Sequence, residues 1–236
     1  MRTKSDPGRT RRAGGGRLLV AGATGLAAGL AMMLQGFVTA PQSPPQPDRR
    51  EASSVLTAVP DPALKAAPRP LGFSPPTRIE VPRLTIDASV LPMGLNDDRT
   101  VEVPTPDQAA KAGWYESGAA PGQRGPTVIL GHVDSSRLPD NKAVFYRLGE
   151  ARRGDRVDIT RTDGAVARYV VEAAIVVAKS DFPTRTVYGS APTPVLRLVT
   201  CGGSYTKDSG YDSNVIVYAR YVGQHRRNQT DRQRRN

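Results

Sequence analysis

From Thr77 onward, apolar and polar residues alternate in short runs separated by turn residues. "TRIEVPRLTIDASVLPMGL" alternates on both sides of Pro82, and the proline breaks it as a strand boundary does. "VEVPTPDQAAKAGWYESGA" predicts a short strand and then a brief helix or turn. "GPTVILGHVDS" predicts an apolar strand, Val128 to Leu130, that stops at Gly131-His132. Two alternating runs flank Asp163-Gly164, a strong hairpin signal. "PVLRLVTC" and "SNVIVYARY" add two more strands, leaving His225 in a tail outside any strand. No stretch of helical period in this region is long enough to organise a core. Short strands, regular turns and few helices predict a mainly β domain, a barrel or a sandwich. Its bounds are set at 77–222, a length that suits one domain.

The chain before Thr77 follows a different pattern. Residues 18–40, "LLVAGATGLAAGLAMMLQGFVTA", carry no charge, and about 20 helical residues span a bilayer core. A cleavable signal peptide competes with a membrane anchor here, because Val38 and Ala40 are small residues at cleavage spacing. Pro41 would then start the mature chain and hinder the peptidase, so an uncleaved signal anchor is the expectation. Residues 41–76 are rich in Pro, Ala and Ser without an apolar period, which predicts an extended, semi-rigid spacer.

Charge sharpens this layout. Nearly all of the net +11 lies at the two ends: Arg2, Lys4, Arg9, Arg11, Arg12 and Arg17 in the tail 1–17, and a second arginine cluster at the C-terminal end, chiefly in the tail 223–236. The body between them is close to neutral. A nucleic-acid binder would carry its basic face on the folded domain, so that class is set aside. The first cluster reads instead as a topology signal that holds the N-terminus in the cytoplasm. Everything after Ala40 is then expected outside a cell membrane crossed once.

An exported domain gives its one cysteine, Cys201, unusual weight. Cysteines outside the cell usually come in pairs, and this one has no intramolecular partner. Either it is a buried, inert apolar residue or it is kept for its reactivity. His132 is the only histidine placed at the end of a predicted core strand. An imidazole beside a thiol can take its proton, or as imidazolium stabilise the thiolate, and can then protonate a leaving amine. The alternative for His132 is a polar residue that caps its strand. No cofactor is implied, and no metal-ligand cluster stands out.

Leu196, Leu198, Val199, Thr200 and Cys201 resemble the Thr-Leu-X-Thr-Cys motif of sortases, and Gly131-His132 after an apolar strand resembles the sortase histidine. The order of anchor, spacer, histidine strand, cysteine strand and one last strand is also that of the family. "LGHVDS", "AVFYRLGE", "FPTRTVYG" and "LVTCGG" are most similar to the class F sortases of actinobacteria. The resemblance implies a closed sortase-type β-barrel and a cysteine transpeptidase. Cys201 would attack a C-terminal sorting signal on a surface protein, commonly of Leu-Pro-X-Thr-Gly type. An amine, usually from a peptidoglycan precursor or another protein, would resolve the acyl-thioester, with His132 as acid and then base. Val199 and Thr200 would flank the bound signal.

The family's last-strand arginine has no counterpart here. Asn214 stands at the matching position, and Arg220 lies about 20 Å further along an extended strand. Arg197, four residues before Cys201, shares its strand face by parity and is the candidate replacement; the alternative is a solvent-facing charge. Two other readings stand beside the sortase: a cysteine peptidase or L,D-transpeptidase acting on the wall, and a non-catalytic cell-surface β-domain. The L,D-transpeptidase nucleophile motif is missing, and His132 precedes Cys201, unlike the papain order.

A cysteine-free reporter fused after Arg220 is expected to be active only in its exported form. Activity confined to the cytoplasm would overturn the topology.

Overall fold

The computed structural model describes residues 43–47 and 68–226. The basic tail 1–17, the apolar stretch 18–40 and residues 227–236 lie outside that range. Among the described residues no helix is long and apolar enough to cross a membrane.

Eight strands close into a barrel: β1 (Pro76–Val81), β2 (Ile86–Met93), β3 (Ala112–Tyr115), β4 (Gly125–Leu130), β5 (Arg156–Arg161), β6 (Ala165–Ala178), β7 (Pro194–Thr206) and β8 (Gly210–Arg226). Around the barrel the order is β1-β2-β3-β4-β7-β8-β6-β5, and β5 returns to β1. Closure gives every strand a paired neighbour on each side over part of its length. The barrel expected from the family resemblance is therefore present. The Asp163-Gly164 turn joins β5 to β6, with Gly164 at φ 79°. One short α-helix, α1 (Thr184–Tyr188), lies in the connection from β6 to β7.

Three local expectations are corrected. Between Val101 and Ala119 the helical turn comes first, as a 3-10 turn at Pro106–Gln108, and the strand β3 follows it. Thr105 and Gln108 form a reciprocal capping box that fixes this turn, and residue 101 makes only an isolated bridge to Leu95. Second, Cys201 is not at a strand end. β7 runs on through Gly202-Gly203 to Thr206, with a register shift between Gly202 and Tyr205. Gly203 has φ 81°, and a Cβ there would collide with Asp212 and Ser213, so glycine lets the strand bulge and continue. Third, His225 is within β8, opposite Val166 of the long strand β6, which supplies partners as far as Arg226.

Alternation sorts the side chains onto two faces. Ile79, Ile129, Ile159, Tyr169, Leu196, Leu198, Val215 and Val217 fill the barrel interior. A second apolar cluster lies on the outer face, where Val128, Leu130, Ile175, Val199, Ile216 and Tyr218 pack under Val187 of α1. On β4, β7 and β8 this outer face is the one that carries the candidate chemistry.

Contacts with the barrel also reach upstream of Thr77. The Leu71 N–H donates to the Gly122 carbonyl at 2.8 Å, and the Ser74 and Thr162 hydroxyls are 2.8 Å apart. Further back, Pro44 and Pro47 are buried, and the Gln46 side-chain carbonyl accepts the Gly203 N–H at 3.0 Å. This short piece of the Pro-rich stretch lies on the barrel.

Arg161 fastens the Leu71–Ser74 stretch. It is 3 % exposed; its guanidinium donates to the Gly72 carbonyl at 2.9 Å and to the Pro121 carbonyl, and it pairs with Asp163 at 2.8 Å. Arg161→Ala would leave two carbonyls without their charged donor, so a loss of about 3 kcal/mol is expected in urea denaturation. A loss below about 1 kcal/mol would show that water replaces the guanidinium.

Candidate active site

The site is assembled by the parallel pairing of β4 with β7. Gly125 to Leu130 match Pro194 to Val199 one for one. The ladder runs past the last pair, since the Gly131 N–H donates to the Val199 carbonyl at 3.1 Å. The Thr200 hydroxyl then donates to the Gly131 carbonyl at 2.8 Å. The next residue on each chain is His132 and Cys201, carried by strands about 5 Å apart. Gly131 admits no substitute, because a Cβ would stand 2.6 Å from Val144 and 3.0 Å from Phe145. Any larger residue would push the histidine chain off the barrel.

Val128 and Leu130 on β4, and Val199 on β7, lie in the outer cluster; Cys201 continues the β7 alternation onto that face, and His132 follows two residues after Leu130. On the other side, β8 pairs Asn214 with Cys201, and the Asn214 amide donates to the Thr200 carbonyl at 3.2 Å. Thr200 itself is buried at 3 % exposure and holds the two strands together.

The thiol is half-buried. Burial pushes its pKa up, the Lys179 ammonium pulls it back, and the Asp134 carboxylate pushes it up again. Cys201 therefore rests as a thiol at neutral pH and needs a base. The His132 ring hydrogen-bonds through Nε2 to the Pro104 carbonyl at 2.6 Å. A carbonyl only accepts, so Nε2 carries a proton, and in the neutral ring the lone pair is on Nδ1. The Pro104 carbonyl thus selects the tautomer of the neutral His132 ring.

Arg197 shares the outer face with Cys201, as parity requires, four residues away along β7. Its guanidinium stacks on the Tyr218 ring at 4.6 Å and donates to the Thr186 carbonyl at 3.3 Å and the Leu196 carbonyl at 3.0 Å. Burial lowers its pKa from the ordinary arginine value. Arg220 lies further along β8 and forms a 3.6 Å ion pair with Glu172. His225 is far from the site and contacts Arg168 at 3.4 Å.

Two residues that sequence alone did not single out stand beside the pair. The Tyr211 hydroxyl donates to Asp134 at 2.5 Å. "GHVDS" carries Asp134 two residues after His132, so the signal was present, but nothing in the sequence joins it to Tyr211.

A family model for the sortase domain matches residues 79–222, more than half of the chain. This chain belongs to the sortase family. The match makes it a cysteine transpeptidase, and Cys201 is its single cysteine. The chain is also similar to solved sortase structures. The SrtA sortase of Actinomyces oris is 19 % identical with TM-score 0.51, covering 70 % of this chain and 93 % of its own. Sortase A of Listeria monocytogenes is 15 % identical with TM-score 0.49, covering 67 % and 94 %. A sortase D5 transpeptidase of Clostridium perfringens is 24 % identical with TM-score 0.45, covering 62 % and 78 %. A search of curated proteins gave no match.

Cys201→Ala and His132→Ala are each expected to abolish turnover with the fold intact by circular dichroism. Because burial raises the thiol, alkylation of Cys201 by iodoacetamide should increase with pH to a midpoint above that of a free cysteine, about 8.5. A midpoint below 7 would show a resting thiolate and reject this account of the site.

Proposed function

We propose that this sortase is a membrane-anchored, class F-like enzyme that cleaves a C-terminal sorting signal and transfers the cleaved protein to an amine, with a peptidoglycan precursor as the acceptor. The observation that carries the reading is the backbone placement of His132 and Cys201, each one residue beyond the Gly131–Thr200 tie that ends the β4–β7 pairing. The apolar segment 18–40 would hold the enzyme in the membrane, with the barrel outside; the spacer expected over 41–76 is shortened by 43–47 and 71–76, which lie on the barrel.

In the first half-reaction His132 takes the Cys201 proton, and the sulfur attacks the scissile carbonyl. The carbon–nitrogen bond then breaks, and the departing amine leaves with the proton held by His132. An acyl-thioester remains on Cys201. In the second half-reaction the acceptor amine gives its proton to His132 and attacks the thioester. A new amide forms, and the thiolate leaves and is reprotonated.

The developing oxyanion needs a donor. Asn214 is level with the thiol, while Arg197 brings the positive charge on the same face. Arg197 takes the role of the charge, with Asn214 in support, and Val199 and Thr200 flank the bound signal. The Arg197 fork rests on Tyr218, so reaching a carbonyl at Cys201 requires its rotation away from that ring.

The enzyme incubated with sorting-signal peptides and an amine should yield ligated product and a trapped thioester that Cys201→Ala lacks. Hydrolysis alone across all acceptors would reject the transferase reading. Arg197→Ala should slow acylation by on the order of 10²-fold, with partial rescue by Arg197→Lys. Near wild-type acylation in Arg197→Ala together with a severe loss in Asn214→Ala would hand the role to the last strand.

A further inference from the structure

The loop that follows His132 is held from both sides. Toward the barrel's β3 side, His132 bonds the Pro104 carbonyl and the Ser135 hydroxyl donates to the Pro106 carbonyl at 3.2 Å. Toward β8, Tyr211 ties the loop through its bond to Asp134. Tyr211 is well fixed for this work. It is 8 % exposed, pairs with Tyr205 across the β7–β8 hairpin, and meets the Tyr205 ring edge-on at 5.1 Å. It thus joins the histidine loop to the hairpin that continues from Cys201.

We propose that Asp134 and Tyr211 are a positioning pair for the transpeptidase reaction: the tyrosine hydroxyl holds the Asp134 carboxylate, fixes the His132 loop against the hairpin, and draws part of the carboxylate's charge away from Cys201. The proposal rests on the assignment of Cys201 as nucleophile and His132 as base. Geometry gives the tie, and electrostatics gives it a consequence. Asp134 acts on the thiol from the histidine loop, Lys179 from the turn after β6, and Tyr211 from β8, with His132 on the neighbouring strand end. An unshared carboxylate here would oppose the thiolate that attack requires. A carboxylate that accepts a hydrogen bond keeps less of its field for the sulfur. Burial and the Asp134 charge hold the Tyr211 hydroxyl far above its ordinary pKa, so it stays a donor throughout the working range of pH.

The two partners therefore act on turnover in the same direction and on the thiol in opposite directions. On the full chain, Tyr211→Phe should lower kcat about tenfold with KM little changed, and move the iodoacetamide midpoint of Cys201 upward. Asp134→Ala should lower kcat to a similar degree, but move the midpoint downward, so that alkylation at pH 7 becomes several-fold faster while turnover falls. Asp134→Asn, which keeps an acceptor for Tyr211 without the charge, should recover part of the kcat lost in Asp134→Ala. A purely structural role would not split the two readouts. Midpoints that stay put in both variants, or that move the same way, would overturn the proposal, as would wild-type kcat in Tyr211→Phe. If Tyr211→Phe fails to fold, the two Asp134 variants decide: an unchanged midpoint or absent recovery by asparagine overturns it. Alkylation needs no substrate, so these shifts can be read even if no peptide is ever ligated, which separates this proposal from the assignment of the reaction.

Discussion

The parallel pairing of β4 with β7 is the constraint on which the site depends. Parallel neighbours cannot be joined by a tight turn, so the chain between Leu130 and Pro194 must run away from β4, build β5 and β6 elsewhere in the barrel, and return. The two reactive residues are brought together only when that circuit closes in the right register. A slip of one residue would send either His132 or Cys201 into the barrel interior. The register is pinned where it matters most: the Thr200 hydroxyl reaches across to Gly131, and Gly131 has no room for a side chain. Backbone pairing sets where His132 and Cys201 stand along the two chains, and one hydroxyl and one missing methyl secure it.

The same packing makes the nucleophile hard to ionise. Val199, Leu130 and Ile216 build an apolar layer over the strands that carry the site, and the half-buried thiol is correspondingly weak as an acid. This protects a lone cysteine from casual oxidation, since the thiolate is the reactive species. Attack then waits for a base in place and a substrate that excludes water.

Much of the barrel was legible because its strands are short, alternating and separated by strong turn residues. Asp163-Gly164 gave its hairpin, and Val128 to Leu130 gave the core of β4. Two of the misjudged places share a cause: tertiary pairing overrode a local signal. Gly202-Gly203 looks like an end, yet β8 lies alongside and β7 bulges and goes on. His225 sits among arginines, yet β6 is long enough to enlist it. At the site, Cys201 and His132 could be singled out because each is the sole candidate of its kind. Parity placed Arg197 on the correct face but could not show that its guanidinium lies on Tyr218. Tyr211 could not be tied to Asp134, because the link joins residues far apart in sequence through a bulge that only the fold reveals.

The contact between Gln46 and Gly203 limits what the Pro-rich stretch could do if it served as a leash. Gln46 is held at the cysteine hairpin, and Leu71 is held at Gly122, so the chain is fastened to one body at both points. Only chain ahead of Ser43 can lengthen the leash, at no more than about 3.5 Å for each residue. Tension applied from the N-terminal side would be felt first at Gln46, a hydrogen bond away from the residue that follows Cys201-Gly202.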